Sequence, residues 1–429
     1  MKTIIRNVRI PAVFGFGTTP VDVAVEGAYI TAVGADLPAE PADKLVDGRG
    51  DLLLPGFVNT HCHAAMTLFR GYGEDLPLSR WLNERIFPAE DRLTTESVYW
   101  GSMLAIAEMI RNGVTSFSDM YFFCPETAQA ALETGIKANI SRSLVSFADG
   151  IKLSEDTRFK EAVELADAYH GAGEGRIRVD FSLHAEYTNR PDYCAAVSEY
   201  AASRGLGMQI HLSETEDEHN ACIERHGKTP AAFLADLGVF RCPTTAAHCV
   251  WVTDEDIELL RAHGVTAAHN PTSNLKLGSG VMPLRKLLDG GVNVALGTDG
   301  AASNNTLDVL RELRLCAILH KGIHRQADIT TAAEMLPLAT VNGARAQGRP
   351  DCGTIAVGAR ADLILLDLSA PHNIPAYDLD ATVAYSAESS DVRMTMVDGR
   401  ILWADGAYTS IDVERLRREA GRVIAHYFD

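Results

Sequence analysis

The middle of the chain alternates short apolar or β-branched runs with longer stretches in which apolar residues recur at helical spacing. Eight runs predict strands, at residues 57–60, 113–118, 136–144, 177–183, 208–210, 244–247, 265–268 and 292–297. The clearest helices between them are predicted at residues 96–112, 157–171, 192–204, 253–263 and 307–320. Strands that alternate with helices indicate a parallel sheet. Eight such units in roughly 300 residues predict an α/β fold, a (β/α)8 TIM-like barrel.

An open, doubly wound sheet is the alternative architecture. Neither a G-x-G-x-x-G nor a G-x-x-x-x-G-K pattern follows the first predicted strand, so the usual phosphate-binding loop of such sheets is absent from the sequence. The barrel is therefore the favoured interpretation.

The two ends of the chain follow a different pattern. Short alternating strands are predicted at residues 3–10, 21–26 and 29–33, and again at residues 361–368, 383–385, 392–397 and 401–404. Neither end is long enough to bury a core alone, so we expect the two to combine into one small β-sandwich beside the barrel. The predicted domains are residues 1–55 for the first part of the sandwich, 56–350 for the barrel, and 351–429 for the second part with a closing helix at 411–427.

Potential metal ligands end most of the predicted barrel strands. The strand-end residues are His61 and His63, His184, His211, His248, His269 and Asp299. Six of the 14 histidines stand at strand ends. In a barrel of this kind, those ends form the active-site face. The pattern therefore predicts one polar site rather than scattered surface histidines.

His61-Cys62-His63 places two imidazoles on one side of an extended strand, because side chains alternate with a period of two. A third imidazole from His211 and a carboxylate from Asp299 would complete an N3O ligand set with room for water. Such ligands suit Zn²⁺, with Fe²⁺ as an alternative. Bound Zn²⁺ can lower the pKa of water to about 7. Of the strand-end histidines, His269 is the one most expected to be structural.

Composition narrows the class of protein. Thirty-nine basic and 57 acidic residues give a net charge of −18, which disfavours nucleic acid and anionic membranes as partners. No apolar run is long enough for a membrane span, and the first residues lack the apolar core of a signal peptide. Eight cysteines without a C-x-x-C pair suggest neither a disulfide scaffold nor a thiolate zinc site. We therefore expect a cytoplasmic protein.

Several motifs together resemble the amidohydrolase superfamily. They are His61-Cys62-His63, His211-Leu212-Ser213-Glu214, Ala247-His248-Cys249, His269-Asn270-Pro271-x-Ser273-Asn274-x-Lys276-Leu277 and Gly297-Thr298-Asp299-Gly300-Ala301-Ala302-Ser303-Asn304-Asn305. The likeness is greatest to the branch that deaminates S-adenosylhomocysteine, 5′-methylthioadenosine and adenosine, to which triazine hydrolases are related. It implies a hydrolytic deaminase that releases ammonia from an adenine nucleoside.

The resemblance also implies roles for the strand-end residues. His61, His63, His211 and Asp299 would bind one Zn²⁺ per subunit, because residues 176–183 of strand 4 contain no Lys to bridge a second metal. Asp299 would take a proton from the attacking water, and His248 would orient that water. Glu214 would carry the proton to the ring nitrogen. The residues after Glu214 in the acidic run 213–218 are expected to be solvated.

Five further residues are candidate substrate contacts. Trp81 would pack on the substrate, and Glu90 would bind two ribose hydroxyls; their alternatives are a helix residue on the barrel rim and a surface helix terminus. Arg142 would lie near the substrate tail, and His184 and Ser303 would contact the ring or tail, although His184 could also be a packing residue.

Two positions depart from the related enzymes: Lys152 is the nearest candidate for a second Arg, and Glu186 replaces a usual Pro. Both departures favour nucleosides without a homocysteine tail.

Alternative functions keep the fold. They are hydrolysis of guanine, a pterin or a triazine, two-metal hydrolysis of a cyclic amide, and a non-catalytic scaffold. We expect a small-molecule substrate and a homo-oligomer.

Overall fold

A computed structural model describes residues 2–428, whose strands form three sheets. Four strands make the N-terminal sheet, in the order β3-β2-β1-β4: β1 (Lys2–Val8), β2 (Val21–Glu26), β3 (Tyr29–Gly34) and β4 (Lys44–Asp47). The next strand, β5 (Leu52–Pro55), leaves this sheet and pairs with strands from the far end of the chain.

The central sheet is an almost closed parallel barrel. Its strands are β6 (Phe57–Cys62), β7 (Val114–Tyr121), β8 (Lys137–Leu144), β9 (Ile177–Val179), β10 (Phe181–Leu183), β11 (Met208–Leu212), β12 (Thr244–His248), β13 (Thr266–His269) and β14 (Asn293–Leu296). β9 and β10 are one barrel position interrupted at Asp180, which leaves eight positions. The Thr60 hydroxyl donates to the Leu296 carbonyl over 2.6 Å and Thr298 N–H donates to the His61 carbonyl over 3.1 Å. These bonds join the first strand to the end of the last one.

Helices cover the barrel. They are α1 (Leu78–Trp81), α2 (Phe87–Glu90), α3 (Thr95–Arg111), α4 (Cys124–Thr134), α5 (Thr157–Tyr169), α6 (Pro191–Ser203), α7 (Glu216–His226), α8 (Pro230–Asp236), α9 (Asp254–Ala262), α10 (Pro271–Lys276), α11 (Leu284–Asp289), α12 (Ala301–Asn304), α13 (Val309–His324), α14 (Ala332–Met335), α15 (Val341–Ala346), α16 (Leu379–Ala381) and α17 (Val413–Phe428). Local chemistry sets their ends. Thr94 and Ser97 form a capping box at the start of α3, and Gly113, at φ +82°, turns the chain into β7.

The third sheet covers one end of the barrel. Its remaining strands are β15 (Leu363–Leu366), β16 (Val392–Val397), β17 (Arg400–Ala404) and β18 (Ala407–Tyr408). Along β15, Leu363 and Leu365 pack against the N-terminal sheet, whereas Ile364 and Leu366 pack against the barrel. This alternation follows the two-residue period of a strand. The sheet therefore shares one core with the N-terminal sheet and another with the barrel.

The structure confirms the barrel, its eight strand positions, the predicted helices and the sheets made from the chain ends. The strand predicted at residues 383–385 is wrong: Thr382–Ser386 forms a helical turn that continues α16 from its cap at Asp378. The tertiary position of this buried turn overrides the β-branched sequence. The domain boundaries stay predictions. Among residues 2–428, no helix is long and apolar enough to cross a bilayer.

Candidate active site

Four side chains from three strand ends converge at the carboxyl end of the barrel. His61 and His63 lie at the end of β6, His211 lies on β11, and Asp299 follows β14. The Asp299 Oδ1 atom is 3.5 Å from His61 Nε2 and 3.2 Å from His63 Nε2. His211 Nε2 is 3.4 Å from His63 Nε2. The donor atoms of His61, His63 and His211 lie within 4.8 Å of one another, and so do those of His61, His248 and Asp299, a spacing that can hold one ion.

Hydrogen bonds on the far side of each ring orient the imidazoles. His63 Nδ1 bonds to the Met120 carbonyl over 2.6 Å, and His211 Nδ1 bonds to the His184 carbonyl over 2.7 Å. A carbonyl can only accept, so both Nδ1 atoms carry the proton and both Nε2 lone pairs face the cluster. His61 Nε2 is buried and has no hydrogen-bond partner among residues 2–428. Three free imidazole nitrogens and a carboxylate fit Zn²⁺.

The electrostatics of the cluster favour a cation. Burial lowers the pKa of His61 to about 4 and that of His211 well below its usual range, which keeps both rings neutral. Burial also disfavours a charged His63, but the hydrogen bond and charge of Asp299 outweigh it and raise the pKa of His63 to about 9. Asp299 therefore draws positive charge to the point where the three rings meet.

Two hydroxyls hold Asp299 in this orientation. Ser273 Oγ donates to Asp299 Oδ2 over 2.7 Å, and Ser303 Oγ donates to the same atom over 2.8 Å. The other carboxylate oxygen is left to face the imidazoles. Ser303 was expected to contact the substrate, but its hydroxyl contacts Asp299 instead. Its role as a substrate contact stays a prediction.

His248 and Glu214 lie beside the four candidate ligands. The His248 ring centroid is 5.6 Å from that of His61, and His248 Nε2 is 3.7 Å from Glu214 Oε2. His248 Nδ1 bonds to Asn274 Oδ1 over 2.8 Å, which directs Nε2 toward Glu214. Ser279 Oγ donates to Glu214 Oε1 over 3.2 Å. Burial raises the pKa of Glu214, as a proton donor at neutral pH requires.

Glu90 and His184 approach the same centre from two sides. Glu90 lies at the end of α2 beside the Tyr121 hydroxyl, and the Tyr121 ring is 6.0 Å from that of His63. Burial raises the pKa of Glu90 to about 7. The His184 ring is 4.9 Å from that of His211, and its Nδ1 is 3.2 Å from Thr188 Oγ1. Both positions agree with a substrate pocket next to the candidate ligands.

The other candidate substrate contacts are engaged within the protein. Trp81 is buried at the end of α1, where its indole packs against Gly73. Arg142 Nε donates to Glu161 Oε2 over 2.7 Å, and its guanidinium lies 5.0 Å from the centre of the Phe122 ring. Trp81 and Arg142 as substrate contacts therefore stay predictions.

Lys152 and Glu186, the two positions that depart from the related enzymes, have partners of their own. Lys152 is exposed and pairs with Glu155. Glu186 is buried and accepts from Arg225 Nη2 over 2.6 Å and from His226 Nε2 over 3.0 Å. Position 186 thus holds a buried carboxylate that pairs with the exposed Arg225 and the partly exposed His226.

Sequence reasoning missed four groups described above: the Ser273 and Ser279 hydroxyls, the Asn274 amide and the Tyr121 hydroxyl. Ser273 and Asn274 fall within the motif at residues 269–277, so a signal was present. Tyr121 ends β7, every residue of which is buried, and only its place in the barrel identifies it.

Comparison with known proteins gives consistent matches. A profile described as the amidohydrolase family matches residues 52–402. A 5′-deoxyadenosine deaminase of Methanosarcina mazei is 46% identical over 398 residues, 93% of this chain and 91% of that protein. A 5-methylthioadenosine/S-adenosylhomocysteine deaminase of Caldanaerobacter subterraneus subsp. tengcongensis is 45% identical over 400 residues, 93% and 92%. The crystal structure of a zinc-bound adenosine deaminase from Xanthomonas campestris superposes with a TM-score of 0.93 at 33% identity, covering 100% of this chain and 98% of that one.

Proposed function

This chain belongs to the amidohydrolase family, and we propose that within it the chain is a metal-dependent deaminase of adenine nucleosides. The reaction replaces the exocyclic amino group by oxygen and gives the inosine analogue and ammonia. The observation that carries the proposal is the cluster of His61, His63, His211 and Asp299 beside the Glu214–His248 pair. Relatives named as deaminases of adenosine derivatives, at 43–47% identity over most of the chain, support the substrate class.

We propose that His61, His63, His211 and Asp299 hold one Zn²⁺ per subunit, with Fe²⁺ as an alternative. The free Nε2 atoms, the carboxylate and the zinc in the Xanthomonas campestris structure support this choice. When bound, such an ion acidifies water and makes it nucleophilic at neutral pH.

The protein's own residues would move the protons. Asp299 Oδ1 takes a proton from the attacking water as its oxygen bonds to the amino-bearing ring carbon. Glu214, whose pKa is raised by burial, gives its proton to the neighbouring ring nitrogen. His248 Nε2 orients the water, because its Nδ1 is bonded to Asn274. The carbon–nitrogen bond then breaks as the amino group takes the proton held by Asp299 and leaves as ammonia. The new hydroxyl gives its proton to Glu214 as it becomes the carbonyl, so both carboxyl groups return to their starting states.

Glu90 supports a nucleoside rather than a free base. Its carboxyl group lies beside the Tyr121 hydroxyl, and its two oxygens suit the two hydroxyls of a ribose. The alternative function is hydrolysis of another heterocycle, such as guanine, a pterin or a triazine. Those heterocycles have no ribose, so the Glu90 carboxylate would have no hydroxyl of the substrate to bind.

Arg142 supports a substrate without a charged tail. The Arg142 guanidinium now donates to Glu161. A homocysteine carboxylate would have to displace Glu161 before it could bind there. Adenosine, 5′-deoxyadenosine and 5′-methylthioadenosine avoid this competition, so we propose them ahead of S-adenosylhomocysteine.

The experiment is ammonia release by zinc-loaded protein from adenosine, 5′-deoxyadenosine, 5′-methylthioadenosine, S-adenosylhomocysteine, guanine and a triazine. We expect turnover of the three nucleosides without a charged tail. Turnover of bases alone, or of nothing, would overturn the proposed substrate class. Glu161→Gln removes the carboxylate that pairs with Arg142. In this variant we expect the rate of ammonia release from S-adenosylhomocysteine to rise relative to the rate from 5′-methylthioadenosine. An unchanged ratio of the two rates would show that Arg142 does not recognise the tail.

We further propose a cytoplasmic location and a homo-oligomeric state. All eight cysteines are free and buried, which supports a reducing compartment. Analytical ultracentrifugation tests the oligomeric state, and a single species at 46.4 kDa would contradict it.

A further inference from the structure

Glu218 is a buried carboxylate in the first turn of α7. The acidic run at residues 213–218 was expected to be solvated after Glu214, and Glu216 and Asp217 are exposed as expected. Glu218 is not: its side chain turns inward and the residue is 8% exposed. The expectation was wrong for Glu218 because its carboxylate has backbone donors inside the protein.

Those donors belong to the turn that aims Glu214. Glu218 Oε1 accepts from Ser213 N–H over 3.2 Å, and Glu218 Oε2 accepts from Glu214 N–H over 2.8 Å. Ser213 has φ +47°, in the left-handed region that a residue with a side chain adopts at a cost. The Ser213 carbonyl in turn accepts from the backbone N–H groups of Val250 and Trp251. The turn is thus bonded on both sides of its strained residue.

This turn is needed for the chemistry. His211 and Glu214 are three residues apart, so a continuous strand would place them on opposite faces. The left-handed step at Ser213 reverses that and brings Glu214 to 3.7 Å from His248. Without this turn, the Glu214 carboxyl would not face the same pocket as His211.

Ordinary helix capping does not account for Glu218. Thr215 already caps α7 by accepting from Glu218 N–H. In the usual capping box, the glutamate three residues on would bond back to the N–H of the capping Thr. Glu218 instead accepts from the N–H groups of Ser213 and Glu214, the two residues that precede Thr215.

We propose that Glu218 is a positioning residue for the deamination: it holds the Ser213–Glu214 turn so that the Glu214 carboxyl faces the substrate ring and His248. This inference rests on the proposed function. It assigns Glu218 no contact with the substrate.

The electrostatics agree with this role. Burial and then the charge of Glu214 raise the pKa of Glu218 to about 7. A second carboxylate so near Glu214 is unfavourable unless its hydrogen bonds compensate, and the two backbone bonds are its compensation. An apolar residue would avoid the repulsion but leave two buried N–H groups without a partner.

The test is a double-mutant cycle of Glu218→Gln and Glu214→Gln, measured as kcat and KM with the nucleoside that the panel identifies. Glu218→Gln replaces one acceptor oxygen by a donor. We expect kcat to fall about 10- to 100-fold, with KM and bound zinc unchanged, since a misplaced catalytic group costs rate rather than binding. Asp217→Asn, exposed in the same turn, is the matched control and should behave as the wild type.

If Glu218 acts through Glu214, the Glu218→Gln change should cause no further loss in the Glu214→Gln protein. An equal loss in both backgrounds would refute the inference. A rise in KM without a fall in kcat would also refute the inference. Absence of deamination by the wild type would instead refute the proposed function, so the two failures are distinguishable.

Hydrogen exchange of the segment 212–218 gives a readout independent of activity. Loss of the Glu218 acceptor should speed exchange of the Ser213 and Glu214 amides, and protection as in the wild type would contradict the inference. Glu218→Asp, which keeps the charge but withdraws it by one methylene, is measured in parallel. It should show the same faster exchange and lower kcat, and wild-type behaviour would contradict the inference as well.

Discussion

A buried ion triad joins the barrel to the sheet that covers it. Lys137 begins β8, and its Nζ lies 2.5 Å from Asp362 Oδ2 and 2.8 Å from Asp398 Oδ1. The three side chains are 3%, 4% and 6% exposed. Burial disfavours the ammonium, but Asp362, Cys352 and Asp398 outweigh it and raise the pKa of Lys137. The perturbation we consider is Lys137→Met, which keeps the volume of the side chain and removes its charge.

The expected loss of stability depends on the charges that stay buried after Lys137 is replaced. At 2.8 Å and an effective dielectric constant of about 20, each attraction is about 6 kcal/mol before desolvation is subtracted. Removing one partner of a buried pair costs about 3–5 kcal/mol net, since the other charge stays buried. Asp398 keeps Arg360, at 3.1 Å, whereas Asp362 loses its only ion-pair partner among the described residues. We therefore expect about 3–5 kcal/mol of destabilisation, most of it from Asp362.

The assay is thermal unfolding at a fixed scan rate. An unfolding entropy of about 2.1 cal/mol/K per residue over 429 residues converts this loss to a fall in Tm of about 3–6 °C. Adding Asp362→Asn, which removes the unpaired charge and keeps an oxygen for the Asp398 N–H, should restore at least half of it. Lys286→Met is the control, because its pair with Asp254 is exposed. A fall below about 1 °C, or no recovery with Asp362→Asn, would refute the reasoning.

Three changes test the active site. Asp299→Ala should lower bound zinc from one per chain to near zero, measured by elemental analysis after dialysis; full zinc content would remove Asp299 from the ligand set. Glu214→Gln should keep its zinc and lower kcat by about 10²–10⁴, the range for a lost proton donor, and a near-normal rate in a stopped ammonia assay would contradict the proton-transfer role. Glu90→Gln should lower kcat/KM for adenosine by about 10-fold or more while changing it little for adenine, and equal losses for both would show that Glu90 does not bind the ribose.

The barrel and most of its polar site could be predicted because both depend on short-range pattern. Apolar runs ending in His61, His211, His248 or Asp299 give the strand, its direction and the end at which the side chain lies. Once the strands are parallel, their carboxyl ends must meet on one face. The convergence of the four candidate ligands follows from that topology.

The remaining features depend on contacts that the apolar pattern of the sequence does not reveal. Ser303 donates to the Oδ2 atom of Asp299, four residues earlier in the chain. Ser273 donates to the same atom from another strand end. Glu218 resembles its exposed neighbours in sequence and differs only because two backbone N–H groups lie inside the fold. The wrong strand at residues 383–385 has the same cause, since a short β-branched run does not reveal that a cap at Asp378 has already started a helix.

Asp299 and Glu214 show how one pocket separates a base from an acid. The two residues are 6% and 7% exposed, so burial alone would raise both pKa values to a similar degree. Two serine hydroxyls bond to Asp299 Oδ2. Burial raises the pKa of Asp299, but the interactions of its carboxylate with His61 and His63 outweigh burial and hold that pKa well below the usual range. Glu214 receives one side-chain hydrogen bond, from Ser279, and its pKa is raised. The imidazoles beside Asp299 rather than the depth of burial therefore separate the two pKa values, which favours Asp299 as the proton acceptor and Glu214 as the proton donor.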